Sequence, residues 1–239
     1  MPIGPARMPL FDHLGELRMR LVRIVVSLFI AMCVFYMATP TIIQFMCLPV
    51  ADYLPKGDDG LVVLNVLDVF GSFTIRFKVA LWASVVACMP IILWQILAFF
   101  LPALKPNERK WFIPTFAVGV LLFMFGTVFC YLFILHPAVQ WLTDQAGGFA
   151  QILPDAKSWV DVIINFELCF GVAFELPLVV FYLVIFDIVP YKKLRSSWRT
   201  VYIVLMVISA MATPDASPVT MLLMFGAMIV LYEASLLVA

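Results

Sequence analysis

Between Arg23 and Asp52 the chain has no Asp, Glu, Lys or Arg, and the same is true of residues 79–104 and 111–143. A helix rises 1.5 Å per residue, so about 20 residues cross the hydrocarbon of a bilayer. Runs of that length leave few environments open to the chain. With 64% hydrophobic and 13% charged residues, it carries more apolar surface than a soluble fold can cover. Soluble domains hold roughly 45–50%. The runs are continuous rather than alternating, which excludes a β-barrel. The fold class that follows is an all-α integral membrane protein.

Breakers and charges divide the chain into one domain of six transmembrane helices over residues 1–239. The helices are expected at about 24–39, 72–104, 109–135, 160–186, 198–213 and 217–237, after an amphipathic segment at 8–23. In that segment Leu10, Leu14, Leu17 and Leu21 keep one apolar face, while Asp12, Glu16 and Arg20 recur at i, i+4, i+8. Thr39-Pro40 is read as the end of helix 1, residues 52–70 as a loop with a short strand at 61–64, and residues 136–158 as a second loop. Gly119 and Gly126 lie seven apart on helix 3 and predict a close neighbour. Helices 5 and 6 follow short uncharged runs, 200–214 and 216–232. These give about 22 and 25 Å, against a core of roughly 30 Å.

One carboxyl group interrupts the fourth run near its middle. Glu175 stands in Gly171-Val172-Ala173-Phe174-Glu175-Leu176-Pro177. A charge at that depth costs on the order of 2.5–3.5 kcal/mol. Pro177 cannot donate to the carbonyl one turn back, near Ala173. Carboxyl and freed carbonyl together make a polar notch within the membrane. Glu167, eight residues earlier, falls on roughly the same side.

The positive-inside rule sets an orientation. On one side lie Arg7, Arg18, Arg20 and Arg23 of the N-terminal segment, Lys105, Arg109 and Lys110, then Lys192, Lys193, Arg195 and Arg199. The other side carries only Lys56, Arg76, Lys78 and Lys157. Both termini are therefore expected in the cytoplasm. The first run starts after Arg23 and is too long for a cleavable signal. The net charge of zero gives no reason to expect nucleic acid. Five scattered cysteines and two distant histidines offer neither a disulfide framework nor metal-ligand spacing, so no cofactor is expected. Walker, H-E-x-x-H and G-x-S-x-G patterns are missing, so an enzyme is not expected. A protein-recognition subunit, a scaffold and a proton-coupled small-solute carrier using Glu175 and Glu167 remain.

Five motifs in order decide among these. They are His13-Leu14-x-Glu16-Leu17-Arg18-x-Arg20-Leu21; Ala98-Phe99-x-x-Pro102-Ala103-Leu104 with Asn107-Glu108-Arg109-Lys110; Phe170-Gly171-x-x-Phe174-Glu175-x-Pro177; Thr213-Pro214-Asp215; and Tyr232-Glu233. In these the chain resembles the TatC family, the multi-spanning core subunit of the twin-arginine translocase. The resemblance implies a cupped six-helix fold in the cytoplasmic (inner) membrane. It also implies a receptor for twin-arginine signal peptides, and export of folded cargo on the proton gradient within an oligomeric complex with small single-span subunits of the TatA and TatB type. It assigns peptide contact to Glu16, Arg18, Phe99, Glu108 and Arg109, an intramembrane role to Glu175, and partner or structural roles to Pro49 and Asp215. Arg18 and Arg109 are expected to orient the two peptide-binding carboxylates. The chain departs from the pattern at Asn107, where His is common, and at Val219, where some relatives carry Gln. Glu167 has no counterpart role.

Overall fold

The computed structural model describes residues 10–100, 112–145, 155–185, 190–213 and 217–238. The first element, α1 (Leu10–Cys47), joins the amphipathic segment and the first span into one helix of 38 residues. The expected stop at Thr39-Pro40 does not occur. Pro40 deprives the Tyr36 carbonyl of its helical donor, and the Thr39 hydroxyl replaces it at 2.9 Å, with a second contact to the Phe35 carbonyl at 3.1 Å. A 3-10 turn, Leu48–Tyr53, follows with Pro49 in its first turn.

The loop at 54–70 is strapped to α1 by one side chain. Gln44 donates to the Val62 carbonyl at 2.9 Å and accepts from its amide at 3.0 Å. The strand expected at 61–64 is reduced to a single bridge between Lys56 and Val62. With the side chain of Gln44 as its partner, Val62 needs no second strand. The Asn65 carbonyl then receives the Ala156 amide at 2.8 Å, which ties the loop to the fourth span.

The remaining elements are α2 (Gly71–Phe100), α3 (Phe112–Phe129), a π turn (Cys130–Ile134) running into α4 (Leu135–Asp144), α5 (Ala156–Ala173), α6 (Leu176–Ile185), the short α7 (Tyr191–Ser196), α8 (Trp198–Ala212) and α9 (Pro218–Val238). No strand element occurs among the described residues. The six spans are α1, α2, α3–α4, α5–α6, α8 and α9. The third runs past His136, where a loop was expected, because Ala138 and Val139 pack into the core and the His136 ring faces the Pro49 carbonyl at 3.3 Å. At 15 residues α8 spans about 22 Å and is the short helix of the set. Its partner α9 outruns its uncharged stretch to reach 21 residues. Glu233 can be taken into that helix because Arg195 and the Tyr202 hydroxyl each donate to it at 2.8 Å.

Asp155 opens α5 as its N-cap, accepting from the Ser158 amide at 3.1 Å and hydroxyl at 2.7 Å. The Ser158 hydroxyl first, then the backbone amides, hold this carboxyl below the usual range.

Packing is serial. α1 lies along α2, α2 meets α3 and α5, α3 meets α5, and α6 and α8 both lie against α9. The α3–α5 seam is the tightest. A Cβ on Gly126 would stand 2.8 Å from the Phe170 carbonyl oxygen, and one on Gly171 would stand 2.8 Å from the Phe123 ring. Glycines on both helices let the backbones approach, which is how helices associate where lipid supplies no hydrophobic drive. The main core lines this helix, with Val160, Ile163, Phe166 and Phe170 of α5 buried beside Met46, Leu135 and Met224.

These contacts set apart two glycines of similar sequence context. Gly126→Ala should lower the stability of the purified chain by about 1–3 kcal/mol, the cost of overpacking. Gly226→Ala, whose new Cβ meets nothing within 4 Å, should be neutral or stabilising. Thermal unfolding in detergent measures both. Equal melting temperatures would show the seam to be slack.

Candidate functional site

The sequence singled out positions that fall in three places. At the end of the bundle where α1 begins and α2 ends stand Glu16, Arg18 and Phe99. Glu16 is half-buried, and its carboxylate is held by Arg20 one turn on: Nε donates to Oε1 at 3.0 Å, and a second guanidinium nitrogen reaches the same oxygen. The third nitrogen of the fork donates across the helix pair to Gln95 Oε1 at 3.4 Å. Gln95 lies one turn before Phe99 on α2, so α1 and α2 meet at this side chain. The group that orients Glu16 is therefore Arg20 and not, as expected, Arg18. Residues two apart on a helix point away from each other, and Arg18 is exposed with no ion pair among the described residues. Glu108 and Arg109 lie outside the described residues, so the pairing expected between them is not seen.

The second place is the break in the fourth span. The chain leaves the helix at Ala173 and resumes at Leu176, where Pro177 cannot donate backwards. Glu175 stands in that break, only 9% exposed, and neither carboxyl oxygen has a hydrogen-bond partner among the described residues. Its room comes from α3: a Cβ on Gly119 would lie 3.3 Å from Oε2 and 2.9 Å from a Leu178 methyl. Two turns further, Tyr182 is hydrogen-bonded with Thr115, which fixes α6 to α3 beside the notch. A carboxyl group enclosed this way, with no hydrogen-bond partner among the described residues, is costly to bury.

The third place is the opposite end. The Pro49 carbonyl meets His136, and the Tyr131 hydroxyl donates to the Phe45 carbonyl at 2.7 Å. Asp215 lies outside the described residues.

Glu167 is 3% exposed and sits within electrostatic reach of Cys130 and Tyr131 at the π turn. Both Glu167 and Glu175 thus face the third span, as their spacing suggests. Their neighbours Gly119 and Cys130 are separated along that helix by about 16 Å at 1.5 Å per residue. Phe123, Phe170 and Phe174 fill the seam between them, and the Thr127 hydroxyl is committed to the Phe123 and Met124 carbonyls. Among the described residues, no side-chain hydrogen bond links the two carboxyls.

Sequence reasoning missed two functional-looking contacts. Gln95 was legible as the lone amide side chain in an uncharged run, and its pairing with Arg20 needed the α1–α2 register. Lys78 donates to both oxygens of Asp161, at 2.6 and 2.8 Å, joining α2 to α5 across the bundle. Each had looked like an ordinary charge at the edge of its run.

With this geometry in hand, comparison with known proteins is specific. A family profile described as "Sec-independent protein translocase protein (TatC)" matches residues 12–226. The Sec-independent protein translocase protein TatC of Deinococcus radiodurans is 34% identical over 228 residues, covering 95% of this chain and 84% of that protein. The protein of the same name from Carboxydothermus hydrogenoformans is 30% identical over 232 residues, covering 97% and 93%. A crystal structure of a twin-arginine translocase receptor, TatC, superposes with a TM-score of 0.78 at 27% identity, covering 94% of this chain and 96% of that one.

An unpaired buried carboxyl costs stability whatever it is kept for. Glu175→Leu, which keeps the approximate volume and removes the unsatisfied polar group, should raise the stability of the isolated chain by about 1 kcal/mol or more. Thermal unfolding without partners tests this. A fall in melting temperature would mean that the carboxyl is structural glue.

Proposed function

The chain belongs to the TatC family, the multi-spanning core subunits of the twin-arginine protein translocase, and from that premise we propose that it receives twin-arginine signal peptides at the end carrying Glu16 and Phe99. It is a non-enzymatic transport subunit of a membrane. The observation that supports the receptor reading most directly is the Glu16 carboxylate: half-buried, at the α1–α2 junction, and already engaged with a guanidinium.

Two adjacent arginines on an extended peptide point to opposite sides, so two separate carboxylates suit them better than one pocket. Glu16 is the first, and Glu108, at the start of the third span, is the second. An arginine fork pairs with a carboxylate through two parallel hydrogen bonds, a geometry that an ammonium cannot copy. Phe99 offers a face beside the pair for apolar or cation–π contact. In this reading Arg18 and Arg109 are further contacts of the peptide.

The charge bias of the loops favours the inner membrane with both termini in the cytoplasm, which puts this end where unexported cargo waits. Glu175 then meets a polar group of a single-span partner of the TatA or TatB type, or of an inserted signal peptide. Pro49 and Asp215 shape the outer loop and the last turn for such partners. Cargo crosses folded, at the expense of the proton gradient, through an oligomeric assembly of these subunits.

Glu16→Ala and Glu108→Ala should each weaken binding of a labelled signal peptide by roughly 1.5–3 kcal/mol, the scale of charged hydrogen bonds. Titration of the solubilised chain with Arg-Arg and Lys-Lys peptides measures this. Equal affinity for the two peptides, or for wild type and both variants, would overturn the receptor site. Glu175→Ala should insert and fold normally yet export poorly, and an export assay at the normal rate would count against its role.

A further inference from the structure

We infer that Arg20 is an internal stand-in for a cargo arginine: it occupies Glu16 while the receptor is empty and must be displaced by the peptide. The inference rests on the reading of Glu16 as a peptide-binding carboxylate. Its own support is the fork geometry. Two nitrogens of the Arg20 guanidinium converge on Glu16 Oε1, and the third reaches Gln95 Oε1 on the neighbouring helix at 3.4 Å. One guanidinium therefore satisfies two acceptors from two helices. The same two acceptors are available to another guanidinium entering from outside.

The exchange has a workable route. Glu16 Oε2 takes no hydrogen bond from any described residue, so an incoming arginine can attach there before Arg20 leaves. The carboxylate is never left bare. The pair is neither dry nor fully wet, with side chains 17% and 26% exposed. A pair so placed is stronger than a surface contact and weaker than a buried one, which makes it replaceable. Glutamate four residues before arginine is also the favourable order on a helix, so the occupied state needs no help from elsewhere.

Occupancy by Arg20 also sharpens the choice of cargo. An empty carboxylate would accept any cation. A filled one yields only to a group that replaces the whole set of contacts. The planar guanidinium presents five donors in a fixed fork and can hold Glu16 and Gln95 together, whereas an ammonium must serve both from one nitrogen. Gln95 is thus a specificity-determining residue, acting as the second acceptor that only a fork meets well.

The test uses the full chain in detergent with labelled Arg-Arg and Lys-Lys signal peptides, and wild type, Arg20→Gln, Arg20→Lys, Gln95→Leu, Glu16→Gln and the Glu16→Gln/Arg20→Gln pair. Arg20→Gln should bind the Arg-Arg peptide about fivefold tighter, the scale of a partly exposed ion pair, and gain more for Lys-Lys, so that discrimination narrows. Arg20→Lys should fall between it and wild type. Gln95→Leu should narrow discrimination without abolishing binding. In the Glu16→Gln background, Arg20→Gln should change nothing. Should either Arg20 variant fail to give a monodisperse, cooperatively melting protein, the other and Gln95→Leu carry the test. If Arg20→Gln leaves affinity unchanged or lowers it while Glu16→Gln weakens binding, the stand-in is wrong and the receptor site survives. If Glu16→Gln leaves Arg-Arg affinity untouched, the receptor site itself fails.

Discussion

Hydrocarbon offers no hydrogen bonds, so each spanning helix must satisfy its backbone from within. The rest of this structure follows from how the chain answers that demand at its prolines. At Pro40 a neighbouring hydroxyl fills the vacancy and the helix continues. At Pro90 the helix also continues through the ring. At Pro177 the chain lets the helix stop, and puts a glutamate in the gap. The same chemical deficit thus leaves one span continuous and opens a polar notch in another. A threonine stands beside Pro40, and a glutamate stands two residues before Pro177.

That notch needs the glycine seam to exist. Gly119 leaves space for the carboxyl, and Gly126 and Gly171 bring the third and fourth spans close enough to close it off from lipid. Larger residues would hold the helices apart and let the glutamate find lipid headgroups or water. Close packing and an acid with no partner among the described residues are therefore two faces of one arrangement.

The span count, the helical class and the glycine face could be read from residue spacing, because each rests on periodicity along one helix. The link between Glu16 and Arg20 could be read for the same reason. The failures have a common cause. The continuation past Pro40 depends on a hydroxyl rotamer, the extension through His136 on the Pro49 carbonyl of the turn after α1, and the length of α9 on a cation from α7 and a tyrosine from α8. Gln95 and the Lys78–Asp161 pair likewise join helices far apart in sequence. Periodicity reports what one helix wants, and these features are decided by what its neighbours offer. Glu108, Arg109 and Asp215 rest on the sequence alone.

The polar ties between the first two spans and the rest of the bundle gather at one end. Gln44 with Val62, Asn65 with Ala156, Tyr131 with Phe45, and Lys78 with Asp161 all lie where α1 ends and α5 begins. At the far end, among the described residues, α1 and α2 are bonded to each other, and α7 and α8 to α9. Apolar contacts hold that end as well, where Leu97, Phe112 and Leu178 of α2, α3 and α6 are buried together. That end carries Glu16 and Phe99 on the first two spans and the Arg195–Glu233 pair on the C-terminal helices. An exchange of partners at Glu16 would therefore leave every polar tie at the opposite end in place.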